Sequence, residues 1–455
     1  MKIRRGAFLQ TARFSIFAHM NYIGRWTGIF HLKKGKRKRL LFHKCLSVVR
    51  LRRTGHTYLM KSNPLKGRKT VLEHLLNPHV QEIEISGIRK FSNMVAGIED
   101  MVSFTIGQPD FKTPEHVKQA GIRAIEENRT IYTHNAGDLA LRKAAAQFVK
   151  TKYNLSYKPE TEVIVTIGAS EAIDITLRTV LTPGSEVILP GPVYPGYEPA
   201  IRLCGAVPVH VDTRANRFKL TADLIRQAIT ANTKCIILPY PSNPTGVTLE
   251  KAELQEIADL IRGRDIFILA DEIYSELTYN LQHASIASFL PEQTIVINGV
   301  SKSHSMTGWR IGFVFAPEWL TKHVLKVHQY NVSCAPSISQ MAALEALTAG
   351  IDDAHAMKKE YEKRRDYVCK RLDGIGIGYV KPDGAFYVFA KVPEALKRSS
   401  FDFAVDLAKQ QKVAVVPGSA FSKYGEGWFR MSYACSMDQL EKGLARMEKF
   451  VANLS

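Results

Sequence analysis

Between residues 163 and 316, short apolar runs rich in β-branched residues alternate with segments of helical pattern. Uninterrupted apolar runs indicate strands that are buried on both faces, and their alternation with helices indicates a parallel sheet between two helical layers. The strands are predicted at residues 163–167, 187–189, 207–211, 235–238, 266–270, 294–298 and 311–316. Three intervening helices are predicted at residues 171–181, 221–229 and 249–262. We therefore expect an α/β fold with a mostly parallel seven-stranded sheet.

The flanking regions have a different pattern. Helices are predicted at residues 117–127 and 139–153 before this region, and at 320–332, 337–348, 354–372 and 437–451 after it. Short strands are predicted at 101–106, 385–389 and 413–416. We expect a large domain at residues 106–326 and a smaller α+β domain at 327–455, which the segment 73–105 joins.

The positive charge of the chain is confined to its beginning. Residues 1–70 hold 19 of the 62 Lys and Arg residues and no Asp or Glu, so the other 43 basic residues balance the 43 acidic ones. A mis-assigned translation start, a targeting segment and a basic tail all fit this composition. We predict that residues 1–72 are a non-native or disordered extension, and that the balanced remainder binds neither nucleic acid nor membrane.

Other bulk features are those of a cytoplasmic enzyme. The six cysteines are scattered, with no Cys-x-x-Cys pair and no metal-like clustering with histidine, so we expect reduced thiols and no metal site. No run of eighteen apolar residues predicts a membrane span.

Candidate site residues follow the ends of the predicted strands, where open parallel sheets bind ligands. They are Gly168-Ala169-Ser170, Tyr194, Asn243, Asp271 with Tyr274, and Ser301-Lys302. Each also has an ordinary structural interpretation: a strand-to-helix turn, a packed loop, an Asn-Pro turn, or a surface lysine. Asp271 is the most informative, because an acid directly after five apolar residues is costly to bury without a partner.

Taken together, these residues match one ligand. Pyridoxal 5′-phosphate requires a lysine amine, an acid beside its ring nitrogen, an aromatic contact and a phosphate site. Lys302, Asp271, Tyr194, the turn at Gly168 and the cation Arg310 supply these groups. Burial would also lower the pKa of Lys302 toward that of a nucleophilic amine.

Three motifs carry a resemblance to a known family. Ser-Asn-Pro-Thr-Gly at 242–246, Asp-Glu-Ile-Tyr at 271–274 and Ser-Lys-Ser-His-Ser-Met-Thr-Gly-Trp-Arg at 301–310 resemble the class I/II pyridoxal-phosphate aminotransferases of fold type I. The resemblance covers residues 73–455. More closely, residues 73–78 and 83–91 resemble the opening of the bacterial N-acetyl-LL-diaminopimelate aminotransferases, which begin near Glu73.

The resemblance implies a role for each site residue. Lys302 would carry the cofactor and transfer protons, Asp271 would pair with the ring nitrogen, Tyr274 and Asn243 would bind the ring hydroxyl, and Tyr194 would stack on the ring. Arg430 would bind the substrate α-carboxylate, and Gly107 would allow close backbone approach. The cofactor phosphate would be held by Ala169, Ser170, Ser301, Arg310 and, from the partner subunit of a homodimer, Tyr132.

The implied activity is amino-group exchange between an amino acid and 2-oxoglutarate. N-acetyl-LL-2,6-diaminopimelate, and hence lysine biosynthesis, is the substrate implied by the closer resemblance. Transamination of aspartate, aromatic residues or methionine, and cleavage of a C–S bond, are alternatives on the same site. A transcription regulator with an aminotransferase-like domain is the non-enzyme alternative, although residues 1–72 show no amphipathic helices of the kind a winged helix needs.

Overall fold

The computed structural model describes residues 50–53, 56–59 and 72–453, in two compact units, residues 1–76 and 77–455. In the first unit, strands β1 (Arg50–Arg53) and β2 (His56–Leu59) pair antiparallel. The sequence pattern predicts neither strand. The rest of the predicted extension, residues 1–49, 54–55 and 60–71, lies outside the described residues, so its interpretation stays a prediction.

The second unit holds a seven-stranded sheet, a four-stranded sheet, a two-stranded sheet and their helices. Its strands are β3 (Val102–Ser103), β4 (Val163–Ile167), β5 (Glu186–Gly191), β6 (Val207–Asp212), β7 (Thr233–Leu238), β8 (Phe267–Asp271), β9 (Thr294–Gly299), β10 (Ile311–Phe315), β11 (Tyr379–Val380), β12 (Tyr387–Lys391), β13 (Val413–Ala414), β14 (Val416–Pro417) and β15 (Trp428–Ser432). Its helices are α1 (Pro78–Gln81), α2 (Gly87–Val95), α3 (Glu115–Glu126), α4 (Leu139–Tyr153), α5 (Gly168–Val180), α6 (Tyr197–Leu203), α7 (Ala222–Ala228), α8 (Lys251–Ile261), α9 (Val300–Ser303), α10 (Glu318–Val332), α11 (Ser337–Leu347), α12 (Ala354–Ile375), α13 (Ser400–Gln411) and α14 (Met437–Ala452).

The large sheet has seven strands in the order β4-β10-β9-β8-β7-β5-β6, which confirms the predicted α/β architecture. All neighbours are parallel except β10, which is antiparallel to both β4 and β9. The connection between β9 and β10 contains only the one-turn helix α9 and a loop, which is too short for a parallel crossover. The start of β10 therefore lies at the same edge as the carboxyl ends of the other strands.

Both faces of this sheet are buried. In β9, Val296 packs into one core, whereas Ile295 and Ile297 pack into the core on the opposite face. Alternate residues of a strand point to opposite faces, so a strand that is covered on both sides is apolar at every position. This is why the strand runs are continuous in the sequence.

The smaller sheet is antiparallel, in the order β11-β12-β15-β14. Beside it, β3 pairs parallel with β13, and the Phe104 amide donates to Ala414 O at 2.8 Å. The N-terminal segment thus hydrogen-bonds to the C-terminal region. The continuous helix α10 crosses the predicted boundary at residue 326, and Ala342 of α11 lies in the core of the large sheet. The packing therefore favours a boundary after α11, and the exact limits stay predictions.

Several predicted elements differ in extent. The strand predicted at 101–106 pairs only at Val102–Ser103, and the one predicted at 413–416 divides into β13 and β14, which belong to different sheets. Helix α5 begins at Gly168, three residues before its predicted start. Among the described residues no helix is long and apolar enough to cross a membrane, and the five described cysteines are free thiols.

Candidate active site

A cavity of about 260 Å³ lies between the carboxyl edge of the large sheet and the strands β12 and β15 of the small sheet. Every predicted site residue except Gly168 and Tyr132 lines it. The predicted residues in its wall are Gly107, Ala169, Ser170, Tyr194, Asn243, Asp271, Tyr274, Ser301, Lys302, Arg310 and Arg430. The structure therefore gathers residues that lie more than 300 positions apart in the chain.

Lys302 lies in the one-turn helix α9, directly after strand β9, which neighbours the central strand β8. Its Nζ donates to Gly107 O at 2.7 Å and lies 5.8 Å from the centroid of the Tyr274 ring. Burial, together with the nearby cations Arg310 and Arg430, lowers the pKa of Lys302 to about 8. A substantial neutral fraction near pH 8 makes this amine both a nucleophile and a proton acceptor.

Asp271 ends the central strand β8 and is 7% exposed. Its Oδ2 accepts from the Tyr197 hydroxyl at 2.6 Å, and its Oδ1 accepts from the Ile273 amide at 3.2 Å. Burial raises the pKa of Asp271 to about 6 despite these two donors. A cation placed against this carboxylate would favour its ionised form.

The turn from β4 to α5 is shaped around Arg310. Gly168 has φ +71°, and a Cβ there would lie 2.3 Å from Arg310 Nη2. A Cβ on Gly312 would likewise lie 2.5 Å from the Ala169 amide nitrogen. Both glycines are needed because the start of β10 packs directly against the first turn of α5. The guanidinium of Arg310 and the N-terminal amides of α5 together form an anion site.

An aromatic wall closes another side of the cavity. The Tyr194 ring lies over the backbone of Gly196, where a Cβ would approach it to 2.4 Å. Tyr194 also contacts Tyr197 edge-on, with ring centroids 5.5 Å apart. This contact joins the predicted ring-stacking residue to the tyrosine that binds Asp271.

Arg430 comes from strand β15 of the small sheet and is only 2% exposed. It donates to Asn243 Oδ1 at 2.9 Å and to Thr105 O at 2.7 Å, and it lies 4.4 Å from the Tyr387 ring centroid. Its Nε is buried and has no hydrogen-bond partner among the described residues. Burial lowers the pKa of Arg430. A buried cation without an acidic partner is suited to bind a carboxylate ligand.

Three contributors were missed by the sequence analysis. The Tyr274 hydroxyl lies 2.9 Å from that of Tyr387, a residue of β12. Tyr197 follows Tyr194-Pro195-Gly196 in the loop after strand β5. Its closeness in sequence to this strand end could have identified it as a candidate site residue. Tyr387 lies inside an ordinary buried strand, and Thr105 contributes only a backbone carbonyl, so neither carried a signal in the sequence. Tyr132 is 83% exposed and outside the cavity, so its role stays a prediction.

These groups fit pyridoxal 5′-phosphate on the chemistry of the donors. The cavity combines an amine of lowered pKa, a buried acid, an anion site that requires glycine, and an aromatic face. Arg430 adds a carboxylate site within the same cavity. The arrangement can bind an amino acid and move a proton at its α-carbon.

A family model described as aminotransferase class I and II matches residues 99–447. The chain belongs to this family. The aminotransferase is 62% identical over 380 residues to the probable N-acetyl-LL-diaminopimelate aminotransferase of Bacillus subtilis, covering 84% of this chain and 96% of that relative. It is 40% identical to aromatic-amino-acid aminotransferase 2 of Thermococcus litoralis over 82% of this chain and 97% of that relative.

Solved structures agree in fold. A Pyrococcus structure named protein A1 superimposes with a TM-score of 0.80 and 39% identity, covering 83% of this chain and 98% of that one. Aspartate aminotransferase from Thermus thermophilus with maleate gives a TM-score of 0.78 and 35% identity, covering 82% and 99%. The family, the fold type I architecture and the assignment as an enzyme are confirmed.

Proposed function

We propose that this aminotransferase is pyridoxal-phosphate-dependent and exchanges an amino group between N-acetyl-LL-2,6-diaminopimelate and 2-oxoglutarate. The observation that carries the substrate assignment is the 62% identity to the probable N-acetyl-LL-diaminopimelate aminotransferase of Bacillus subtilis, over 96% of its length. This proposal places the enzyme in lysine biosynthesis, in the cytoplasm.

Each part of the cofactor would have its own set of residues. Lys302 would bind it covalently, Asp271 would face the ring nitrogen, and Tyr194 would lie against the ring. Tyr274 and Asn243 would bind the ring hydroxyl. The phosphate would lie at Ala169, Ser170, Ser301 and Arg310. When bound, the cofactor supplies an electron sink that makes the α-proton of an amino acid acidic.

The substrate groups are handled by the chain itself. The α-carboxylate would bind the guanidinium of Arg430, which Asn243 Oδ1 and Thr105 O hold in a fixed orientation. Gly107 leaves room beside Lys302, where a Cβ would lie 3.2 Å from the Tyr387 hydroxyl. After the substrate amino group has replaced it on the cofactor, the freed neutral Nζ of Lys302 would take the proton from the substrate α-carbon as a general base and later deliver it as a general acid.

A homodimer is part of the proposal. Tyr132 would reach the cofactor phosphate of the partner subunit, which is consistent with its position outside the cavity of its own chain. Other large side chains are also exposed. The exposed fraction is 79% for Ile131, which precedes Tyr132 in the chain, and 88% for Tyr330 on α10. Such exposure is typical of surfaces that bury against another protein. Sedimentation of the purified protein at micromolar concentration should give the mass of two chains.

The substrate assignment is tested by exchange kinetics. Purified enzyme with glutamate as donor should convert N-acetyl-2-amino-6-oxopimelate, with a kcat/KM well above those for oxaloacetate and aromatic oxo acids. A clear preference for aspartate or an aromatic donor would assign a different substrate and leave the family unchanged.

The cofactor assignment is tested by light absorption. The enzyme purified with added pyridoxal phosphate should absorb in the visible, and borohydride should abolish the band while fixing the cofactor mass to the peptide that contains Lys302. A colourless protein that ignores added pyridoxal phosphate would contradict the assignment.

A further inference from the structure

A second, larger cleft of about 930 Å³ opens beside the catalytic cavity. Ile88 and Tyr194 line both, so the two spaces meet at these side chains. The cleft is walled by residues 82–90 and 92–93 at the start of α2, and by Tyr194, residues 195–196, Glu198, Pro199, Arg202, Ser419 and Ala420. A substrate bound at Lys302 and Arg430 that extended past Ile88 and Tyr194 would enter this cleft.

The cleft contains one cation that the protein itself leaves uncompensated. Lys90 Nζ pairs with Glu84 at 2.7 Å, and Arg202 pairs with Glu198 at 2.7 Å and approaches Glu82 at 3.8 Å. Arg89 lines the same cleft and has no acidic partner within 4 Å among residues 72–453. A negatively charged ligand in the cleft would therefore find one free guanidinium.

The position of Arg89 has no evident structural explanation. It lies in the first turn of α2, which contains no acidic residue. A cation is unfavourable at a helix N-terminus, where the backbone dipole is positive. Arg89 is also exposed, so its guanidinium contributes little to the core. Arg89 lines the larger cleft next to Ile88, which also lines the catalytic cavity, and an anion bound there would offset this unfavourable placement.

Substrate length decides which anions reach the cleft. In glutamate, three bonds separate the α-carbon from the distal carboxylate carbon, which spans roughly 4 Å. In a 2,6-diaminoheptanedioate, five bonds separate them, which spans roughly 6 Å. Only the longer substrate carries its second carboxylate well beyond the α-carbon that reacts at Lys302. It also carries the N-acyl group there, which needs the space that the larger cleft provides.

We propose that Arg89 is a specificity-determining residue that binds the distal carboxylate of a seven-carbon amino dicarboxylate, with the N-acyl group in the adjoining cleft. This inference rests on the proposed function, because it concerns the distal half of that substrate. Glutamate and 2-oxoglutarate stay within the catalytic cavity and do not contact Arg89.

The first test is a comparison of the two substrates in Arg89→Ala. The KM for N-acetyl-2-amino-6-oxopimelate should rise about 10-fold, because a charge-assisted hydrogen bond is lost, while the KM for glutamate stays within a factor of two. Arg226→Ala is the matched control, since Arg226 is an exposed helix arginine that pairs with Asp223 and lines neither space. Equal losses for both substrates, or no loss for either, would overturn the proposal.

The second test measures binding without turnover. Heptanedioate has the carboxylate spacing of the long substrate, and pentanedioate has that of glutamate. Calorimetric titration of the wild-type holoenzyme should show tighter binding of heptanedioate than of pentanedioate. Arg89→Ala should raise the Kd of heptanedioate about 10-fold, which removes the preference, and leave the Kd of pentanedioate unchanged. A preference that survives in Arg89→Ala, or is absent from the wild-type enzyme, would overturn the proposal.

The two tests separate this inference from the proposed function. If the enzyme does not convert the N-acetyl substrate but the heptanedioate preference depends on Arg89, the substrate assignment fails and the distal carboxylate site stands. If the N-acetyl substrate is converted and Arg89→Ala changes neither measurement, the site fails and the substrate assignment stands.

Discussion

The two walls of the catalytic cavity are built differently. The wall from the large sheet carries two titratable groups, Lys302 and Asp271. Burial lowers the pKa of Lys302 and raises that of Asp271, and both shifts favour the neutral form of the side chain. The wall from the small sheet carries Arg430, which stays charged and is fixed by Asn243, Thr105 O and the Tyr387 ring. One wall can exchange protons and the other presents a constant charge. Under the proposed mechanism, proton transfer and substrate orientation would fall to groups carried by different sheets.

The largest effect is expected at the proton-transferring residue. Lys302→Ala should lower kcat by about 10²- to 10⁴-fold or more, because the general base is lost together with the covalent bond to the cofactor. Single-turnover absorbance with glutamate would measure it. Lys322→Ala, an exposed lysine on α10, is the control and should keep full activity. If Lys302→Ala retained near-normal turnover, the proton-exchanging role of this wall would be wrong.

The fixed charge is tested by Arg430→Lys. Lysine keeps the charge but cannot bind a carboxylate with two parallel hydrogen bonds, nor hold both Asn243 and Thr105 O. We expect a loss of about 2 to 4 kcal/mol in transition-state binding, or roughly 30- to 1,000-fold in kcat/KM. Because every substrate shares the α-carboxylate, the loss should be similar for glutamate and for the long substrate. Arg371→Lys on α12 is the control, and a loss confined to one substrate would contradict the assignment.

The buried acid should reduce stability before the cofactor binds. The folded-state pKa of Asp271 is raised to about 6 from the ordinary 3.8, so the folded protein binds more protons than the unfolded chain between these values. The free energy of unfolding therefore falls as pH rises through this window, by about 3 kcal/mol from this group. Cofactor-free Asp271→Asn should then be more stable than the wild type at pH 7, with the difference disappearing near pH 4.

Urea denaturation of both cofactor-free proteins at pH 4 and pH 7 measures this difference. Asp271→Asn should also bind pyridoxal phosphate more weakly, because the amide cannot pair with a protonated ring nitrogen. A stability difference that is the same at both pH values would show that ionisation of Asp271 is not its cause. Asp259→Asn, on the exposed face of α8, should show no such pH dependence.

The smallest effect is expected between the two walls. Tyr387→Phe removes the hydroxyl that lies 2.9 Å from the Tyr274 hydroxyl but keeps the ring beside Arg430. Loss of one hydrogen bond of about 0.5 to 1.5 kcal/mol should lower kcat/KM roughly 2- to 10-fold. Tyr433→Phe removes a buried hydroxyl outside the cavity and should leave kcat/KM unchanged. A larger loss for Tyr387→Phe would give that hydroxyl a direct part in the reaction.

The large-sheet wall was far more predictable than the small-sheet wall. Apart from the edge strand β6, the strands of the large sheet are mostly apolar runs because both of their faces are buried, so the residue after each run marks a ligand-binding edge. Gly168, Asn243, Asp271 and Lys302 could be predicted in this way. Arg430 lies within a short strand and was identified only by resemblance to the family, and Tyr387 was not identified at all. The strands of the small sheet have only two to five residues, so their sequences do not show where a ligand-binding edge lies.

The sequence by itself determined the alternation of strands and helices, the order of the three family motifs and the confinement of excess charge to residues 1–70, because these depend on local composition and spacing. Only the tertiary structure decided that β10 runs antiparallel and so places Arg310 against Gly168. It also decided that Arg430 contacts Asn243 and Thr105 O, and that Arg89 lines a second cleft. These contacts join residues far apart in the chain, and their geometry is fixed by packing between elements rather than by any local preference.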